Sequence, residues 1–279
     1  MHKRQEQNNL RSDHDMRKFL LVLGTVCVVV ACGDHESGHA IHWDYGDEAG
    51  PARWAGLSPD FALCDEGKAQ SPIDLSVAVA NDEEVEVRRN FRPVSVHVSY
   101  QESTINLLDN GHTIQISFEE GNTVDVGDKQ FALIQYHFHA PSEHTMNGEH
   151  FPMEAHFVHA STSGELTVAG IFIEQGEHNP AFDPVWNILP KEPGESRVLE
   201  GQDVSLDALV PTGSRTYRYM GSLTTPPCSE GVNWFVREAP IALSAEQIAA
   251  FTDIFNHNNR PVQSLNDREL VIDTPSYIE

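Results

Sequence analysis

The sequence predicts a β-dominated fold in a single domain, and three observations carry that expectation. The 279 residues show no internal period and no low-complexity linker that would divide them. Runs rich in Val, Ile, Thr, Phe and Tyr follow one another from residue 85 to 174, separated by Gly or Asn turns. One stretch only, LSAEQIAAFTDIF, reads as a convincing helix: Ser244 can cap it, and Gln247 stands three residues later at capping-box spacing.

In chain order, residues 1–31 read as a leader. Arg17 and Lys18 precede the apolar run FLLVLGTVCVVVA, whose length suits a signal segment and falls short of a membrane span. Met1 to Asp15 is polar, so Met16 is an alternative start. The run ends in VVAC, which resembles a bacterial lipobox and makes Cys32 a candidate lipidation site; ordinary cleavage nearby is the alternative. The expectation is an exported protein, periplasmic or at the cell surface, touching a membrane only through such an anchor. Residues 32–40 then read as a tether and 41–279 as the domain. Of the four cysteines, Cys27 leaves with the leader, Cys32 lies in the tether, and Cys64 and Cys228 should pair in an oxidising compartment.

Lys plus Arg is 18 against 42 acidic residues, a formal charge of -24. A phosphate backbone would be repelled over most of such a surface, which excludes nucleic acid as a partner. Solubility in a salty or extracellular medium accounts for the acidity.

The strand-like runs are VEVRRNF, VSVHVSY, STINLLD, HTIQISF, NTVDVGD, FALIQYHFH, EAHFVHA and LTVAGIFIE. Asn110 and Gly111 between two of them signal a tight hairpin, with His112 just after the turn. In FALIQYHFHA, alternation puts Gln135, His137 and His139 on one face and Tyr136 and Phe138 on the other. In MEAHFVHA it puts Glu154, His156 and Val158 together, away from His159. If the chain between Pro141 and Pro152 returns antiparallel, His156 faces His137 and His139. His144 and His150, in that connection, read as surface or turn residues.

An H-x-H pair on a strand is a modest signal, since strand histidines are commonly just packed or solvated. A third histidine of matching parity favours a metal. Three neutral imidazoles with an open fourth position suit Zn2+, one per chain, and a water there with a pKa near ~7. Gln135 and Glu154, two residues from His137 and His156 on the same faces, are placed to fix the tautomers of those ligands.

HWDYG from His42, QSPIDL from Gln70, NGH at Asn110, HFHAPSEH, EAHFVHA, GSLTTPPCSEGVNW from Gly221 and NNRPVQSLN from Asn258 occur in this order. Over residue 41 to the C-terminus the chain thereby resembles the alpha-class carbonic anhydrases of exported bacterial type. The resemblance implies a single domain round a large twisted, mostly antiparallel central sheet with a few short peripheral helices. It implies a carbonate dehydratase, a zinc lyase that reversibly hydrates carbon dioxide to bicarbonate by attack of zinc-bound hydroxide. His137, His139 and His156 match the ligands, and Cys64 and Cys228 the disulfide. Thr224 matches the threonine that donates to a carboxylate, here Glu143, and accepts from the nucleophile. His112 matches the proton shuttle, and an unperturbed imidazole pKa near ~6.5 suits that task. Val158, Val168, Leu223, Thr225, Val232 and Trp234 match the carbon dioxide pocket. Tyr45, Asn110 and Gln115 match positions round the water network, and Asn258 supports the ligands. Sulfonamide and anion inhibitors, and a monomer or homodimer, are further implications. Ala140 and Pro141 depart from the aromatic residue that follows H-x-H in many animal members.

Two other readings compete. HFHAPSE also fits part of the cupin pattern H-x-H-x3-E, in which Glu143 would ligate iron or manganese, although the pattern's preceding glycine is missing. A binding protein or zinc store on an inherited fold is the other; a full ligand set together with Glu143, Thr224 and His112 argues against it.

Overall fold

A computed structural model describes residues 41–78, 96–99, 105–118, 121–199, 206–210 and 215–273. The chain divides into Met1–His42, of which only Ile41 and His42 are described, and a compact unit Trp43–Glu279. The expected leader, tether and VEVRRNF strand lie outside the described residues, as does Cys32.

The strands are β1 (Val96–Ser99), β2 (Ile105–Asp109), β3 (Ile114–Phe118), β4 (Thr123–Val126), β5 (Lys129–His139), β6 (Thr145–Met146), β7 (Glu149–His150), β8 (Met153–Ser161), β9 (Leu166–Gln175), β10 (Ser196–Leu199), β11 (Thr216–Ser222), β12 (Glu230–Leu243) and β13 (Val271–Asp273). Eleven form one sheet, whose main path runs β10-β2-β3-β5-β8-β9-β12-β11-β13, while β4 pairs with β5 and β1; β6 and β7 make a separate hairpin. Every described pairing in the large sheet is antiparallel except β9 with β12. The expected fold class is the one found.

Alternation explains where the cores sit. Phe138, Ala155, Phe157 and Ile171 join one apolar cluster with Trp186 and Phe251, while Val158, Val168, Phe172, Val232 and Trp234 join another. Neighbouring residues of the central strands thus enter different clusters, and β8 is buried along its whole length. The helix Ala245–Thr252 caps the first cluster through Phe251, and its capping box forms as the sequence indicates: Gln247 N donates to Ser244 Oγ and Ser244 N donates to Gln247 Oε1.

Strands β10 to β13 were not among the runs read from the sequence. The longest, β12, is broken as a pattern by EAP at 238–240, and its register with β9 shifts between Arg237 and Ile241. Pro240 and its neighbours hide a strand that the sheet accommodates with an irregularity.

Candidate metal centre

The β2–β3 hairpin turns at Asn110 and Gly111. Gly111 has φ of 85°, a conformation that costs glycine little, and Asn110 Oδ1 accepts from the N–H groups of His112 and Thr113. The Asn110 side chain is therefore committed to shaping the turn that carries His112. The His112 ring is half-buried and stacks on Trp43, with centroids 3.6 Å apart and planes within 5°.

β5 and β8 are antiparallel with His137 opposite His156, the arrangement the parity argument requires. Each of the three imidazoles gives one nitrogen to a protein acceptor. His137 Nδ1 donates to Gln135 Oε1 at 2.8 Å, His139 Nδ1 to the Asn258 carbonyl at 2.6 Å, and His156 Nε2 to Glu154 Oε1 at 2.9 Å. The other nitrogens are His137 Nε2, His139 Nε2 and His156 Nδ1. The three residues offer nitrogen atoms that all lie within 4.8 Å of one another. His139 Nε2 is buried and makes no hydrogen bond. Burial pushes all three imidazoles below the usual histidine range; the other two rings add to this at His137, while the Glu154 charge opposes it at all three. Neutral rings with fixed tautomers and convergent lone pairs are what a divalent cation of intermediate softness takes as ligands, so the residues fit zinc.

Glu154 is fully buried and accepts four hydrogen bonds. His156 and His144 Nδ1 reach Oε1, and the N–H groups of Glu143 and His144 reach Oε2 at 2.9 and 2.8 Å. Although burial opposes ionisation, His144 and His156 hold its pKa well below the carboxylate range. Room for it comes from Gly170 on β9, opposite His156: a Cβ there would lie 2.9 Å from Glu154 Oε1. His144, Glu154 and His156 could also be counted as a metal group, but the shared oxygen with two ring donors at 2.7 and 2.9 Å is a hydrogen-bonded cluster.

The reading of His144 as a surface or turn residue is corrected: it is fully buried between Glu154 and the Tyr219 hydroxyl, 2.6 Å from its Nε2. Its place in the bend after β5 conceals this, because strand parity says nothing about a residue outside a strand. His150 is exposed, with Nδ1 donating to the Ser142 carbonyl, and His159 is buried away from the three-histidine group.

Glu143 is buried beside the centre. Its Oε1 accepts from Arg260 N at 2.8 Å, and Oε2 lies 3.5 Å from His139 Nε2 and 3.8 Å from His156 Nδ1. Oε2 makes no well-aligned hydrogen bond among the described residues, yet the Thr224 hydroxyl stands close enough to pull the carboxyl's pKa down. Burial wins and pushes it up to about 7. Among the described residues, neither group that could hold a metal includes Glu143, whereas the cupin pattern needs it as a ligand.

Val158, Val168, Val232 and Trp234 belong to one buried cluster with Leu223 packed against it, and the Trp234 ring lies 4.8 Å from that of His156. Thr225 is half-buried in the turn that follows Thr224, its carbonyl accepting from Cys228 N. Tyr45 packs edge-on to Trp43 and Trp54 and feels the Glu143 charge. Gln115 pairs across the sheet with His137. Asn258 joins more of the site than expected: its Nδ2 donates to the carbonyls of His112 and Phe138, and its Oδ1 accepts from Ala140 N. Cys64 and Cys228 form a disulfide across 164 positions. Arg260, described below, was missed, and nothing in local spacing marks it.

A single large sheet with three convergent imidazoles on adjacent strands, His139 and His156 buried and His137 half-buried, defines a β protein with a candidate metal site at its centre. The family model for eukaryotic-type carbonic anhydrase matches residues 49–274. A carbonic anhydrase from Pectobacterium atrosepticum is 39% identical over 91% of this chain and 98% of its own length. One from a Nostoc species is 42% identical over 83% of this chain and 86% of its own. Among solved structures, the alpha-carbonic anhydrase of Thermovibrio ammonificans in complex with sulfanilamide is 44% identical with a TM-score of 0.76, covering 83% of this chain and 99% of that one. Cah3 of Chlamydomonas reinhardtii, in complex with acetazolamide, is 34% identical at a TM-score of 0.67 over the same share of each chain. The chain belongs to the eukaryotic-type, or alpha, carbonic anhydrase family, and it is an enzyme of that class. Among the described residues no helix is long and apolar enough to cross a membrane.

Proposed function

We propose that this enzyme reversibly hydrates carbon dioxide with one zinc ion held by His137, His139 and His156. The observation that carries the reading is the set of three nitrogens left over once Gln135, Asn258 and Glu154 have each taken a ring N–H. Zinc, when bound, supplies a water whose pKa falls to about 7, a property established for this enzyme class.

The chain's own residues do the rest. Glu143 accepts a hydrogen bond from the Thr224 hydroxyl, so Thr224 Oγ1 turns its lone pairs to the ligand space and selects groups that can donate a hydrogen bond. Glu143 Oε2 lies 3.5 Å from His139 Nε2 and 3.8 Å from His156 Nδ1, so a cation held by those rings would favour the carboxylate and oppose the burial that raises its pKa. Val158, Val168, Leu223, Val232 and Trp234 offer an apolar wall to a neutral, apolar substrate, with Thr225 at its edge. His112 takes the product proton at a ring nitrogen and passes it to buffer; Asn110 and Asn258 hold its peptide, and Tyr45 and Gln115 border the path. Export, with cleavage after residue 31 or lipidation of Cys32, and a domain from 41 to 279 complete the reading, and Arg17, Lys18 and the apolar run support it.

Stopped-flow carbon dioxide hydration by the purified enzyme, with and without a sulfonamide, tests the function. Fast hydration stopped by stoichiometric sulfonamide is the expected result; zinc-loaded enzyme that leaves the uncatalysed rate unchanged overturns it.

A further inference from the structure

The two partners that set the hydrogen-bond polarity of the site, Glu143 and Thr224, reach it from different parts of the chain. Each ends at one half of the disulfide. On the Thr224 side the link is short: Cys228 lies four residues on, and its N–H closes a turn onto the Thr225 carbonyl at 2.9 Å.

On the Glu143 side the link is Arg260, which is 2% exposed. Its backbone N–H holds Glu143 Oε1, and its guanidinium donates to the Cys64 carbonyl at 2.7 Å and to Gln70 Oε1 and the Ser71 carbonyl at 2.8 Å each. Gln70 in turn donates its Nε2 to the Cys228 carbonyl at 3.0 Å. Arg260 and Gln70 therefore grip both half-cystines from inside, and the grip ends on the Glu143 carboxylate.

Stability alone gives little reason for this arrangement. Among the described residues no carboxylate touches the guanidinium, which meets neutral oxygens and, 5.8 Å from its Cζ, the Trp54 ring, and a buried cation without an anionic partner stabilises less than an apolar side chain of similar volume. The rigid fork, held at three oxygens, fixes where the Arg260 peptide N–H points, and that N–H is the one on Glu143 Oε1.

The geometry points to Arg260 as a positioning residue for the hydration step: with Gln70 it clamps the Cys64–Cys228 bridge to the Glu143–Thr224 pair and keeps the two in register. This rests on the role given to that pair above. It adds a residue and a mechanical link that the pair's own chemistry does not require.

A double-mutant cycle tests it, with zinc content measured on every variant. Arg260→Met in the wild-type background is expected to lower kcat/KM for carbon dioxide by about tenfold, the scale of a sub-ångström misplacement. In a Thr224→Ala background the same change is expected to cost less than about twofold, because the pair through which Arg260 acts is already broken. Binding supplies a second readout: sulfonamide affinity is expected to fall by a similar factor, while thiocyanate, which has no proton to give Thr224, holds or gains. Equal losses in both backgrounds, or a parallel loss for sulfonamide and thiocyanate, overturn the inference. A slow Thr224→Ala enzyme with a wild-type Arg260→Met removes Arg260 alone. A Thr224→Ala enzyme as fast as wild type removes the pair's role, and this inference with it. Arg260→Lys keeps the charge and loses the fork, and carries the same cycle if the methionine variant does not fold.

Discussion

Replacing Glu154 with Gln changes one atom, and the structure allows that amide no good orientation. All four donors that meet Glu154 point at acceptors: two ring N–H groups at Oε1 and two backbone N–H groups at Oε2. If the new NH2 faces the backbone, two buried donors lose their partner, at about 1 to 3 kcal/mol each. If it faces the rings, His156 must move its proton from Nε2 to Nδ1, the nitrogen otherwise free for metal. Either way the third ligand is weakened, and loss of such an outer partner costs about 10- to 100-fold in metal affinity, or about 1.4 to 2.7 kcal/mol. Competition with a chromophoric chelator measures it. Expected is a zinc dissociation constant raised by at least tenfold, with urea stability of the metal-free protein lowered by about 2 to 6 kcal/mol. An unchanged dissociation constant would refute the argument that Glu154 sets the His156 tautomer.

Three further outcomes are expected. His112→Ala should slow turnover in weak buffer and recover with added imidazole; equal rates in every buffer would take the shuttle role from His112. His159 is buried with its pKa lowered to about 4, mainly by desolvation. The unfolded chain therefore binds a proton near pH 6.5 that the folded chain refuses, so stability falls as pH drops from about 6.5 to 4, by up to about 3 kcal/mol from this residue. Urea melts of His159→Met should show a pH dependence shallower by one proton across that window; an unchanged slope contradicts the assignment. Reducing Cys64–Cys228 should lower the urea midpoint, with loop entropy over 164 positions setting a ceiling of about 5 kcal/mol. No shift at all would show that the bridge does not constrain the unfolded chain.

How far the site could be read from the sequence follows from how its residues communicate. Strand alternation is local, so the shared face of His137, His139 and Gln135, and that of His156 with Glu154, are legible, and only the antiparallel return between them had to be assumed. The hairpin at Asn110 and the helix cap at Ser244 are likewise written in a few adjacent residues. His144 was misread because burial in a bend has no period. Glu143, Thr224 and Asn258 entered through resemblance, since Asn258 meets His139 across 119 positions and no spacing rule spans that distance. Arg260 illustrates the limit: its role depends on oxygens at 64, 70, 71 and 143, which only the folded sheet brings together. β12 shows a different one, where a strand tolerates Pro240 by shifting register and so loses its alternation.

The measurement that tests the central claim most directly is titration of metal-stripped enzyme with zinc while carbon dioxide hydration is followed. The three-histidine account predicts no catalysis without metal, a linear rise and a break at one zinc per chain, with His139→Ala failing to reach the break at the same concentrations. Catalysis by the stripped enzyme, a break at a different stoichiometry, or recovery with iron or manganese and not with zinc would contradict it.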